Sequence, residues 1–111
     1  MKNLKIVSIE YPLTKSDAII HFNDGTILDI SHDFTIVGRT RGHTFIGPHK
    51  TRISLIANRY DANGVWTPEG SFEVSGYNKE KLIKRMTKMF KEIYGLSVAY
   101  DSVTLSLKIK E

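Results

Sequence analysis

Asn78-Lys79-Glu80-Lys81-Leu82-Ile83-Lys84-Arg85-Met86-Thr87-Lys88-Met89-Phe90-Lys91-Glu92-Ile93-Tyr94-Gly95 is the stretch that decides the fold. Its apolar residues Leu82, Ile83, Met86, Met89, Phe90, Ile93 and Tyr94 recur at the spacing that puts them on one stripe of a helix. Lys79, Lys81, Lys84, Arg85, Lys88 and Lys91 mostly take the opposite side and read as a solvated outer face. Asn78 offers the side-chain oxygen an N-cap needs, and Gly95 stands where a chain leaves a helix through the left-handed region. The pattern predicts a helix over 78–94, and its apolar stripe has to be buried against strands, since no other segment has this period.

Working outward, Ser71–Ser75 carries Phe72 and Val74 on one face and is ended by Gly76. Thr67-Pro68-Glu69-Gly70 and Asp61-Ala62-Asn63-Gly64 have turn chemistry on either side of Val65-Trp66. Arg52–Asn58 alternates, with Ile53, Leu55 and Ala57 toward a core and Ile56 toward a second layer or a partner. Leu4, Ile6 and Ile9 flank a first strand closed by Tyr11-Pro12, because proline has no amide for a ladder. Ala18–Phe22 and Thr26–Ile30 meet through Asn23-Asp24-Gly25, the clearest hairpin signal in the chain. Ser31-His32-Asp33 reads as a turn into a short strand, Phe34–Val37. The segment from Gly38 to Lys50, with three glycines and a proline, predicts a long loop or a wide hairpin tip. Beyond the helix, Leu96–Tyr100 and Val103–Ile109 predict a hairpin around Asp101-Ser102. The expected fold class is α+β, a mostly antiparallel sheet carrying one long helix, with residues 1–111 as one domain.

Composition agrees with that class. The chain has 111 residues, 41% of them hydrophobic and 11 aromatic, which is too much apolar material for a chain that stays disordered. There is no cysteine, so no disulfide framework, thiol nucleophile or thiolate zinc site is available, which suits a reducing cytoplasm. No apolar run reaches the ~18 residues that cross a bilayer, and the first ten residues alternate rather than forming a signal-peptide block. A cytoplasmic location without membrane contact is therefore expected.

The net charge of +4 hides a segregation. Residues 38–59 hold Arg39, Arg41, Lys50, Arg52 and Arg59 and no acid, a local +5, whereas residues 60–77 sum to −3. His32, His43 and His49 lie in or beside the basic stretch and are further cation-forming side chains there. Arginine and lysine in a glycine-containing loop suit contact with a phosphate backbone, because released counterions supply affinity and flexible backbone lets guanidinium groups approach. A solvated loop that only keeps the protein soluble has the same composition, and both readings stand. The candidate nucleic-acid contacts are Arg39, Arg41, His43, His49, Lys50 and Arg52.

Catalytic chemistry finds little support. The four histidines show no H-x-H or H-E-x-x-H spacing, so no metal site is expected. His49-Lys50-Thr51 is half of a two-histidine phosphoesterase pattern and lacks its second copy. Asp24, Asp29 and Asp33 could be a nuclease carboxylate cluster, but Asp24 sits where aspartate serves a turn. No nucleophile elbow, phosphate loop or dinucleotide fingerprint occurs. No enzyme and no cofactor is expected. Met86 and Met89 belong to the helix stripe, and Trp66 reads as a core anchor in preference to an exposed partner contact.

One resemblance extends these readings. Phe72-Glu73-Val74-Ser75-Gly76-Tyr77, the helix from Asn78 to Tyr94, Gly95-Leu96-Ser97-Val98, and the closing alternation Val103-Thr104-Leu105-Ser106-Leu107-Lys108-Ile109-Lys110 resemble the C-terminal double-wing DNA-binding domain of MotA-type phage middle-transcription activators. The basic segment at 38–50 and the Trp66 segment have no counterpart in it, and no stretch resembles the helical polymerase-contacting domain of those activators. The resemblance implies wing architecture and DNA affinity but no activating role. In that family DNA lies on the outer face of a sheet, which adds Lys108 and Lys110 as nucleic-acid candidates. It also implies a phage origin, and with it the cytoplasm of the host cell.

Together these readings predict a small phage-type protein that binds nucleic acid, duplex DNA in preference, to modulate transcription or another host process. The alternative is a protein-protein inhibitor or adaptor of a host enzyme, for host takeover or against host defence, whose basic loop occupies an acidic or nucleic-acid-binding surface.

Overall fold

Asn23-Asp24-Gly25 turns the chain as its chemistry requires. The Asp24 carboxylate accepts the Thr26 N–H at 3.0 Å, Gly25 has φ +87°, and the Thr26 carbonyl accepts the Phe22 N–H at 3.0 Å. The computed structural model describes residues 3–12, 15–42 and 44–110, with the backbone alone described for residues 39, 40, 45, 46, 48 and 49.

The strands are β1 (Ile6–Glu10), β2 (Ala18–Phe22), β3 (Ile27–Arg41), β4 (Thr44–Tyr60) and β5 (Trp66–Gly76), then helix α1 (Lys79–Tyr94) and the short strands β6 (Val98–Tyr100) and β7 (Leu107–Ile109). β1 to β5 form one antiparallel sheet in chain order, and β6 and β7 form a separate two-stranded ribbon. The class is α+β, as the sequence predicts.

One face of the sheet carries Ala18, Ile20 and Phe22 of β2, Leu28 and Ile30 of β3, Ile53, Leu55 and Ala57 of β4, and Phe72 and Val74 of β5, all buried. Over them lie Leu82, Met86, Phe90 and Tyr94 of α1, joined by Val98, Leu105 and Leu107. Phe72 meets Phe90 edge-to-face at 4.9 Å between ring centroids, and Phe22 stacks on Tyr94 at 5.6 Å. The helix ends as expected. The Asn78 side chain accepts the Lys81 N–H at 3.0 Å, and Gly95, at φ +69°, lets its own N–H and that of Leu96 reach the Lys91 and Phe90 carbonyls.

Four local expectations are corrected. Ser31-His32-Asp33 is not a turn: the three residues continue β3 opposite Ile56, Leu55 and Ser54. The ladder does not stop at Val37 either, but runs to Arg41 opposite Thr44. The segment at 38–50 is therefore strand over most of its length, interrupted by a bulge at the register shift between Val37 and Arg39, where residues 47–49 of β4 have no partner and Gly47 has φ +89°, and ended on β3 by Gly42 at φ +63°. Thr67–Gly70 does make local hydrogen bonds of a turn, but as a bulge inside β5: Phe72 faces Ala57 and Thr67 faces Arg59, so residues 68–71 are looped out against Asn58 alone. Pro68 is tolerated there because a bulge asks no N–H of it. Finally, β7 starts at Leu107 and not at Val103. The Asp101 carboxylate gathers the N–H groups of Val103 and Thr104 at 2.8 Å each and Leu105 has φ +59°, which makes residues 101–106 a wide turn.

Candidate nucleic-acid interface on a basic arm

The consequence of the long β3–β4 ladder is an arm. From Asp33 to Val37 every residue of β3 is exposed, as are Thr44, Gly47, Lys50, Thr51 and Arg52 on β4. At ~3.4 Å per residue the ribbon from Asp33 to Arg41 spans about 30 Å. The molecule measures 51 × 28 × 25 Å with a radius of gyration of 15.8 Å, against ~13 Å for a compact chain of this length.

Cross-strand pairing sorts the arm's residues into two faces. Thr35 lies opposite Arg52 and Val37 opposite Lys50, so these four share one face. Phe34 and Ile36 lie opposite Ile53 and Thr51 on the other, continuing the core face of the sheet beyond its cover. Phe34 is 48% exposed and Ile36 62%. At the root, the Arg52 guanidinium donates to Ser75 Oγ at 2.8 Å and Lys50 Nζ sits 5.8 Å from the centre of the Tyr77 ring. His32 Nδ1 lies 2.7 Å from Asp17 Oδ2 and packs edge-to-face on Phe34. This pair ties the base of the arm to the β1–β2 connection, so His32 serves the scaffold and not the basic face.

The eight sequence-predicted residues fall into separate groups. Arg41, Lys50 and Arg52 are exposed on the arm, and among the described residues no carboxylate lies within 4.0 Å of them. Arg39 and His49 belong to the backbone of the same ribbon, Arg39 opposite Ile46 and His49 in the unpaired stretch at the register shift, while their side chains, and the whole of His43, lie outside the described residues. Lys108 and Lys110 are elsewhere. Lys108 is exposed with Nζ 5.7 Å from the Tyr11 ring centre, and Lys110 borders a groove with Lys88 and Lys91 of the last turns of α1. The arm leaves the sheet on β3 and β4 beside Tyr77, whereas Lys108 lies against Tyr11 after β1 and Lys110 against α1, so the two groups sit on different elements. The structure does not bring them together.

The carboxylates do not form a site. Asp24 is held below its usual range first by the Thr26 hydroxyl and then by the Thr26 N–H, with a smaller contribution from Arg59, whose guanidinium is 3.6 Å away. Asp29 faces Asn58 across the ladder, and Asp33 accepts the N–H of Phe34. Among the described residues no three His, Asp or Glu side chains gather to hold a metal ion, and no helix is long and apolar enough to cross a membrane.

Two features escape a reading by sequence. Trp66 is not a core anchor: it is 50% exposed on the face of the sheet away from α1, opposite Tyr60, with its indole N–H donating to Asn58 Oδ1 at 3.0 Å. Phe34 and Ile36 alternate as core residues do, and only the length of the ladder reveals that they stand exposed beyond the core. No family model, curated protein or solved structure matches the chain.

Proposed function

We propose that the chain is a nucleic-acid-binding protein that engages duplex DNA with its β-ribbon arm, and that it binds rather than catalyses. One observation carries the reading: between Phe34 and Ile53 the ribbon holds Arg39, Arg41, Lys50 and Arg52 and no acid, and it projects from the core in place of a disordered loop. A two-stranded ribbon fits the ~12 Å major groove of B-DNA, and arginine and lysine along it displace the counterions of facing phosphates. The double-wing resemblance of residues 72–110 supports the same ligand class, and modulation of transcription in a host cytoplasm is the role that resemblance favours.

The test is the salt dependence of affinity for a labelled 20-base-pair duplex, read by fluorescence anisotropy. Four phosphate contacts give a slope of about −3.6 in log K against log salt, hence roughly 100-fold weaker binding between about 50 and 200 mM salt. Affinity that ignores salt, or no binding at either concentration, refutes it. A second reading, an inhibitor or adaptor of a host enzyme, is favoured by exposed Phe34 and Ile36, which a phosphate backbone does not require. A host protein retained by the chain after nuclease treatment supports that second reading.

A further inference from the structure

Away from the arm, α1 and β6 leave a groove of about 570 Å³ between them, within the range of sites that bind specific ligands. Its floor is aliphatic, formed by Ile83 on a side row of the helix, by Leu96 just past the C-terminal turn, and by Val98 of β6. Ile83 and Leu96 are only half-buried although they belong to the apolar part of the chain. The rim is cationic: Lys84, Lys88, Lys91 and Lys110 are all exposed, against Glu92 as the one acid among the described lining residues. Glu92 reaches only Lys88, at 3.8 Å, which leaves the rim with a net charge of +3.

We propose that this groove docks an acidic amphipathic helix of a partner protein, its apolar stripe on the aliphatic floor and its carboxylates against the lysine rim. The charge selects an anionic ligand, and the floor selects among anions. Sites for single-stranded nucleic acid use aromatic rings and arginine, and a duplex backbone has no apolar stripe to bury. Here no ring and no arginine is found among the described lining residues, whereas aliphatic side chains are what a helix presenting leucines at i, i+3, i+4 and i+7 requires. The stretch of α1 that borders the groove, Ile83 to Glu92, is about 14 Å long and matches two to three turns of such a helix. This surface is distinct from the arm, so the chain has the means to hold a protein and a nucleic acid at once.

The probe is a labelled 15-residue synthetic peptide with leucines on one stripe and glutamates elsewhere, titrated with the full chain and read by anisotropy. Saturable binding is expected, weakened at least tenfold by Lys88→Glu with Lys91→Glu, while circular dichroism shows the double variant folded. Affinity of that variant for the 20-base-pair duplex at about 150 mM salt should change less than threefold, since the Debye length there is ~8 Å. A peptide of the same composition in scrambled order, with no apolar stripe, should bind at least tenfold more weakly. Equal binding of the two peptides overturns the proposal, because charge alone then accounts for the attraction. Displacement of the peptide by duplex with equal potency from the wild type and from the Arg39→Ala, Arg41→Ala variant also overturns it, because the groove then belongs to nucleic acid.

Discussion

Replacing Phe90 with alanine tests how the helix is mounted on the sheet. Phe90 is fully buried, and its ring stands edge-on to Phe72 at 4.9 Å, so truncation removes a large apolar transfer term and leaves a cavity between two layers that are both fixed by hydrogen bonding. Such substitutions cost about 3 to 5 kcal/mol, the upper part applying where an aromatic pair is lost as well. A domain of this size has ~5 to 15 kcal/mol in all. At about 4 °C per kcal/mol, the melting temperature should fall by roughly 12 to 20 °C. The control is Lys88→Ala on the outer face, where the side chain is 76% exposed and loses only its 3.8 Å ion pair with Glu92. That change should stay within about 0.5 kcal/mol. Urea denaturation followed by circular dichroism gives both values. If the two variants unfold at the same urea concentration, the Leu82–Met86–Phe90–Tyr94 stripe is not the core face, and the packing described above is wrong.

Gly95→Ala should destabilise the protein by about 1 kcal/mol in the same assay: no atom would clash with the added methyl, so the penalty is that of φ +69° alone. Tyr94→Phe should cost ~0.5 to 1.5 kcal/mol through the lost hydrogen bond from the phenol to the Gly70 carbonyl, 2.6 Å long. Burial pushes the Tyr94 phenol up to about 12 from its ordinary 10, so the stability it supports is complete below pH 10 and is lost as pH rises toward 12. Burial raises Tyr100 as well, with Asp17 adding to it, so a phenolate absorbance titration should show both groups ionising only as the protein unfolds. Arg39→Ala with Arg41→Ala should leave melting unchanged and flatten the salt slope of duplex binding by about one unit per lost phosphate contact; an unchanged slope would move the site off the arm.

What the sequence made legible was local. The helix stripe, its asparagine cap and its glycine exit are each encoded within a few residues of where they act, as is the Asn23-Asp24-Gly25 turn, and all of them stand in the structure. The arm was not legible, because Gly38, Gly42, Gly47 and Pro48 have the local chemistry of a loop and take no ladder partner themselves, while the pairs among them, Val37 with Lys50 and Arg39 with Ile46, extend a ladder that begins at Ile27 with Tyr60. Ladder pairing overrides propensity in the same way at Ser31-His32-Asp33. At Val103 the failure ran in the other direction. Alternation predicted strand, but the Asp101 carboxylate held the backbone in a turn and left Val103 81% exposed. The basic cluster was visible as composition, but its separation from Lys108 and Lys110 depends on which elements each group packs against, and no spacing in the sequence carries that.

The role assigned to the arm is tested most directly by removing it. Ile36 and Thr51 are cross-strand partners, so residues 37–50 can be replaced by Asn-Gly, which closes a two-residue hairpin and removes no buried side chain among the described residues. The shortened protein should keep its circular dichroism spectrum and cooperative melt, while its affinity for the 20-base-pair duplex at about 50 mM salt falls at least tenfold. A shortened protein that folds and still binds the duplex as tightly as the full chain would contradict the account.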